Sequence, residues 1–148
     1  MSTMAIANAP YALAPGAGKA MGWFHSTITL KASAPEAGIT EVVLRPGEEP
    51  PLHVHSREDE WLYVVSGAVS FHVGGEDHYG EAGAFVSFPR GIPHTFSIET
   101  ETARILVVNT PGGFEKMFEL NPQTPEEAER ALRAFGMEVV GPHPRHGR

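Results

Sequence analysis

This chain predicts an all-β fold, on three observations. Short runs of β-branched and aromatic residues recur from Trp23 to Asn109. Turns rich in Gly and Pro separate them, which is the pattern of sandwiches and barrels. Helical periodicity appears only after the last of these runs.

Taken in order, residues 1–20 are rich in Ala, Pro and Gly and predict a loosely attached arm. Trp23 to Leu30 reads as a strand. Ile39 to Leu44 alternates, with Thr40, Val42 and Leu44 on one side and Glu41 and Val43 on the other. Pro46-Gly47 and Pro50-Pro51 punctuate the chain next. Trp61 to Val65 is a short apolar run that stops at the turn Ser66-Gly67. Val69, Phe71 and Val73 alternate with Ser70 and His72, and Gly74-Gly75 signals a two-residue hairpin. His78 and Tyr79 fall on the return strand. Ala84–Phe88, Thr95–Ile98 and Arg104–Asn109 complete the set. A barrel over residues 21–120 follows.

Residues 121–148 read as a helix and tail. Phe114–Leu120 predicts a short helix just before that stretch. Thr124 is a helix N-cap, Pro125 suits the first turn and Glu127 is the capping partner. Ala128, Leu132 and Phe135 form the apolar stripe, and Gly136 ends the helix.

Between Gly47 and His94 lie three histidines and a glutamate whose spacing lets them converge on one metal ion. Residues two apart on a strand share a face, so His53 and His55 project side by side. Glu60 follows a turn-like stretch, and His94 comes from a later strand opened by Gly91-Ile92-Pro93. Imidazole nitrogens with one carboxylate suit divalent first-row metals. Four protein ligands leave an octahedral metal open to water, dioxygen or substrate. If Glu60 faces inward, so do Leu62 and Val64, while Trp61, Tyr63 and Val65 face outward. Ile105 and Val107 oppose Leu106 and Val108 likewise. Such doubly apolar strands need an outer cover. The N-terminal strand, the C-terminal helix or a second subunit are the candidates.

The same residues resemble the cupins. Gly47, His53, His55, Glu60 and Gly67 fit the first cupin motif, and Gly83, Pro89, Gly91 and His94 fit the second. Ile98 departs from the pattern, standing where the family often has Asn. Beyond the motifs, PGAGKAMGWF, HVHSREDEWLYVVSGAVSFHVGG, FVSFPRGIPHTF and ARILVVNTPGGFEKMF look like the small cupins grouped with quercetin 2,3-dioxygenase. The resemblance implies a jelly-roll barrel. It implies His53, His55, His94 and Glu60 as metal ligands, with Glu60 also the proton acceptor. It further implies a flavonol-like or other enolic aromatic substrate, dioxygen as co-substrate, and a homodimer. Fe, Mn, Co or Ni suits the ligand set, and Zn or Cu can displace them by affinity.

The inward positions Leu62, Val64, Phe71, Phe96 and Ile98 predict an apolar substrate pocket. A metal-dependent isomerase or a sugar-binding cupin would need more polar side chains there. A non-catalytic ligand sensor is a third reading. His25, His72 and His78 read as surface histidines, His143 and His146 as part of a disordered tail, and Glu58 and Asp59 as solvated loop charges near Arg57 or Arg90.

Composition narrows the classes. The 148 residues suit one domain. A formal charge of −7 without a basic run disfavours nucleic acid. No apolar run is long enough to cross a bilayer. The absence of cysteine and of a basic, continuously apolar N-terminus leads to the expectation of a cytoplasmic protein.

Overall fold

A computed structural model describes residues 9–24 and 26–147. Two antiparallel sheets face each other in a jelly-roll barrel. The first runs in the order β1 (Lys19–Trp23), β2 (Ser26–Ser33), β3 (Gly38–Leu44), β10 (Ala103–Thr110), β5 (Asp59–Ser66) and β8 (Phe85–Phe88). The second runs β11 (Met137–Gly141), β4 (Leu52–His55), β9 (His94–Ile98), β6 (Ala68–Val73) and β7 (Glu76–Glu81). Their inner faces meet in a core that includes Leu62, Val64, Val69, Phe71, Phe88 and Ile105. Each such side chain contributes about 1.5–3 kcal/mol by leaving water.

Local chemistry explains the turns and the helices. Gly74 and Gly75, at φ 58° and 84°, close the β6–β7 hairpin in a conformation that side chains disfavour. Phe114–Leu120 is a 3₁₀ helix. In α1 (Pro125–Ala134) the Thr124 hydroxyl accepts the Glu127 N–H at 3.1 Å, and Gly136, at φ 83°, follows the helix end. Ala128 and Ala131 are its buried residues, with Leu132 and Phe135 packed beside them.

The structure departs from the sequence reading in several places. The run Trp23–Leu30 is two strands, because the chain reverses between Trp23 and Ser26 with Phe24 at φ 56°. β1 begins at Lys19, inside the stretch expected to be a loose arm, since it pairs along β2. His25 lies outside the described residues. After α1 the chain returns as β11 and pairs with β4, which carries two of the motif histidines.

His72 is not a surface residue: it is 7% exposed, and its ring nitrogens meet Asp77 Oδ1 at 2.6 Å and Ser97 Oγ at 2.7 Å. The C-terminal segment covers that face of β6 and β9. His143 is buried there, donating from Nε2 to the Phe96 carbonyl at 2.9 Å and accepting the Arg145 N–H at Nδ1. Arg145 pairs with Glu99 at 2.7 Å. The segment is therefore packed rather than disordered. His78 is exposed, as expected.

Candidate metal centre

The barrel places the four motif residues on facing sheets. His53 and His55 leave the same face of β4, and His94 opens β9 in register with His53. Glu60 comes from the opposite sheet, at the start of β5, beside Asn109 of β10. All four are buried, at 4%, 1%, 0% and 8% exposure for His53, His55, His94 and Glu60. Each offers a donor atom within 4.8 Å of the others.

The hydrogen bonds decide which atoms point inward. His53 Nδ1 lies 2.8 Å from the Pro51 carbonyl, and His94 Nδ1 lies 2.9 Å from the Ile92 carbonyl. A carbonyl only accepts, so both Nδ1 atoms carry the proton and both Nε2 atoms present lone pairs. Asn109 Nδ2 donates to Glu60 Oε2 at 3.2 Å, which fixes the carboxylate. His94 Nε2 then sits 3.3 Å from Glu60 Oε1, and His55 Nε2 sits 3.7 Å from Oε2. His94 Nε2 has no hydrogen-bond partner despite its complete burial.

Lone pairs facing a carboxylate repel unless a cation lies between them. At His53 and His55 a proton does not fill that place near neutrality. Burial, with the His94 and His55 rings adding to it, lowers the His53 pKa to about 3, and burial lowers that of His55 too. Burial alone would raise Glu60, but its close contact with His94 and the electrostatic influence of the His55, His94 and His53 rings outweigh it and hold the carboxyl at about 2. Three imidazole nitrogens and one carboxylate are a donor set that fits a divalent metal ion. Phe88 stacks on His94 at 4.2 Å and Phe114 packs edge-on to His55 at 4.7 Å, limiting the rotation of both rings.

A cavity of about 730 Å³ opens from this cluster toward α1. Trp23, Phe96, Phe114, Phe118, Val107 and Leu132 are among the side chains that line it, with Glu48, Glu126 and Glu129 adding carboxylates. Among the described residues no Lys or Arg lines it. Of the five expected pocket positions, Phe96 borders the cavity, whereas Leu62, Val64, Phe71 and Ile98 are core residues away from it. Strand parity sets which side chains point inward. Distance along the strand sets which of those inward side chains meet the cavity, and parity is blind to that.

Asn109 and Glu58 were not anticipated. Asn109 shares parity with Ile105 and Val107, so a polar residue ending an inward apolar row was the available signal. Glu58 is 4% exposed rather than solvated, its carboxylate lying against the His55 ring at 3.9 Å. Burial raises its pKa. Asp59 does pair with Arg90, at 3.2 Å.

A second group, Glu49, His143 and His146, lies within the same span of one another. Its chemistry is already satisfied: Glu49 accepts the Gly47 and Ile98 N–H groups, and His143 uses both ring nitrogens.

Residues 40–109 match the Cupin_2 family, described as a cupin domain. The chain is 25% identical over 124 residues to quercetin 2,3-dioxygenase of Bacillus subtilis (strain 168), covering 81% of this chain and 37% of that protein. The chain thus spans little more than a third of the curated relative it matches. Among solved structures, a sugar phosphate isomerase from Silicibacter pomeroyi DSS-3 is 28% identical, with a TM-score of 0.51 over 57% of this chain and 59% of that one. A Streptomyces PAC13 variant with uridine superposes at a TM-score of 0.57, with 17% identity over 70% and 83% of the two chains, a likeness of fold alone.

Proposed function

We propose, from the match of residues 40–109 to the cupin domain family, that the protein is a metal-dependent dioxygenase acting on a flavonol-like or other enolic aromatic molecule. One observation carries the reading: three imidazole nitrogens and an ionised Glu60 converge at the inner end of a cavity walled by aromatic and aliphatic side chains. His53, His55, His94 and Glu60 would hold one divalent metal, of which Fe, Mn, Co and Ni suit the set best. Such a metal, when bound, acts as a Lewis acid that acidifies a hydroxyl or enol oxygen beside it.

The chain supplies the rest. Glu60 accepts the proton of the substrate hydroxyl at Oε1, the oxygen that Asn109 leaves free. Asn109 keeps the carboxylate aimed at the cluster. Trp23, Phe114 and Phe118 exclude water and hold the aromatic rings. A flavonol and dioxygen are both uncharged on entry, which agrees with a mouth that carries carboxylates and no described cation.

The Silicibacter relative motivates a second reading, a sugar phosphate isomerase. A phosphate would face Glu48, Glu126 and Glu129 with no described Lys or Arg to receive it, so the charge of the cavity favours the first reading. Anaerobic titration with quercetin tests the choice. Metal-loaded protein should red-shift the flavonol absorption as the bound hydroxyl loses its proton, and metal-free protein should not. An unshifted spectrum in both states contradicts the proposal.

Tyr63, Val65 and Phe85 are exposed on the outer face of the first sheet. The N-terminal strand joins that sheet at the opposite edge, and α1 packs at the cavity mouth. Among the described residues no other element covers this face, and a homodimer is proposed to cover it.

A further inference from the structure

Beside the cluster, two buried polar atoms lack hydrogen-bond partners and face each other: His55 Nδ1 and Glu58 Oε1, 3.9 Å apart. Their side chains are 2% and 5% exposed, so water does not substitute freely for the missing bonds. An orphaned buried polar group costs about 1–3 kcal/mol, and more if it is charged. Two complementary orphans in contact therefore call for one explanation.

The other two histidines sharpen the point. Main-chain carbonyls fix the tautomers of His53 and His94. No carbonyl meets Nδ1 of His55 in the same way, and Glu58 stands where one would be. Its neighbour Glu115 is turned to other donors, the Ser33 hydroxyl and the Gly113 N–H. The loop between the two residues is pinned, with Ser56 N–H on the Gly136 carbonyl and Gly91 N–H on the His55 carbonyl, at 2.9 and 2.8 Å. Only the side chains need to move, by about 1 Å, to reach hydrogen-bonding distance.

We infer that Glu58 is the positioning residue of His55, its carboxylate accepting the Nδ1 proton and so presenting the Nε2 lone pair to the site. The inference rests on the metal reading above. Carboxylates that take the second nitrogen of a metal-bound histidine raise its basicity and fix its ring. Glu58 acts on the ligand and does not itself touch metal or substrate.

The test compares full-length wild type with Glu58→Gln and Glu58→Ala. Cobalt affinity by competition should fall about 10–100-fold in Glu58→Ala. Glu58→Gln keeps an accepting oxygen and should recover part of the loss. Nitrogen-15 spectra of the zinc-loaded protein give a readout that a purely structural role would not produce. The His55 Nδ1 proton should be visible and slow to exchange in wild type and Glu58→Gln, and exposed to exchange in Glu58→Ala. The Nδ1 protons of His53 and His94 should persist in all three. Should Glu58→Ala fail to fold, wild type and Glu58→Gln decide the matter through the same resonance. An unprotonated His55 Nδ1 in the zinc-loaded wild type, or a Glu58→Ala affinity within twofold of wild type, overturns the inference alone. A wild type that binds neither metal overturns the metal reading and takes the inference with it.

Discussion

Metal-free protein should lose stability on mild acidification, and His53 makes the size of the loss calculable. Its folded pKa is about 3, against the ordinary value of 6.5 for an accessible imidazole. Between those values the unfolded chain binds a proton that the folded chain refuses, so stability falls as pH falls from 6.5 toward 3. The slope is about 1.4 kcal/mol per pH unit for one such group. From pH 6.5 to 5 this amounts to roughly 2 kcal/mol, or about 4–8 °C in melting temperature for a domain of this size.

Other groups titrate nearby. His55 and His143, both lowered chiefly by burial, act in the same direction. Glu58, raised by burial, acts in the opposite one. Glu60, held at about 2, loses its contribution only below the ordinary carboxyl range and stays outside this window. The assay therefore compares thermal melts of chelator-treated wild type and His53→Gln from pH 7.5 to 5. The variant lacks the titrating imidazole, so its curve should be flatter by roughly 2 kcal/mol over that span. Parallel curves would show that the His53 ring is accessible to protons in the folded state, and the account of the buried lone pairs would fail with it.

Other outcomes are expected. Glu60→Gln should lower turnover per bound metal by about 10²–10⁴-fold, the span of general-base catalysis, measured by oxygen uptake after metal analysis. Asn109→Leu removes the hydrogen bond to Glu60 and should cost about 1.5–3 kcal/mol in denaturant unfolding, with a weaker metal affinity. Light scattering should give twice the 16.0 kDa mass of the chain, and Tyr63→Lys together with Phe85→Lys should return it to the single-chain mass.

The sequence was most legible where chemistry demands fixed spacing. His-x-His on a strand, a carboxylate opening the next strand and a third histidine after Gly-Ile-Pro required no knowledge of depth. The N-cap at Thr124 and the hairpin at Gly74-Gly75 were legible because each is local. The rest is set by tertiary partners. β11 is a strand because it pairs with the edge strand β4, and the pair Val139-Val140 is too short a signal to announce that. His72 and His143 look like surface and tail residues until the C-terminal segment is seen to lie across β6 and β9. The β1–β2 reversal uses Phe24 at positive φ, where a turn residue such as Gly or Asn is the usual signal. The cavity walls combine barrel residues such as Thr40, Val42 and Val107 with side chains of the 3₁₀ helix, α1 and the N-terminal strands, and strand parity alone has no access to the latter.

Oxygen consumption by metal-reconstituted protein tests the central claim most directly. The protein would be loaded in turn with Fe, Mn, Co and Ni, its metal content measured, and each form mixed with quercetin and simpler enediols. At least one form, holding one metal per chain, should consume oxygen with an enolic aromatic substrate, and the metal-free protein should consume none. If no metal form consumes oxygen with any of these compounds, while a sugar phosphate raises the melting temperature of the loaded protein, the dioxygenase account is contradicted and the isomerase reading takes its place.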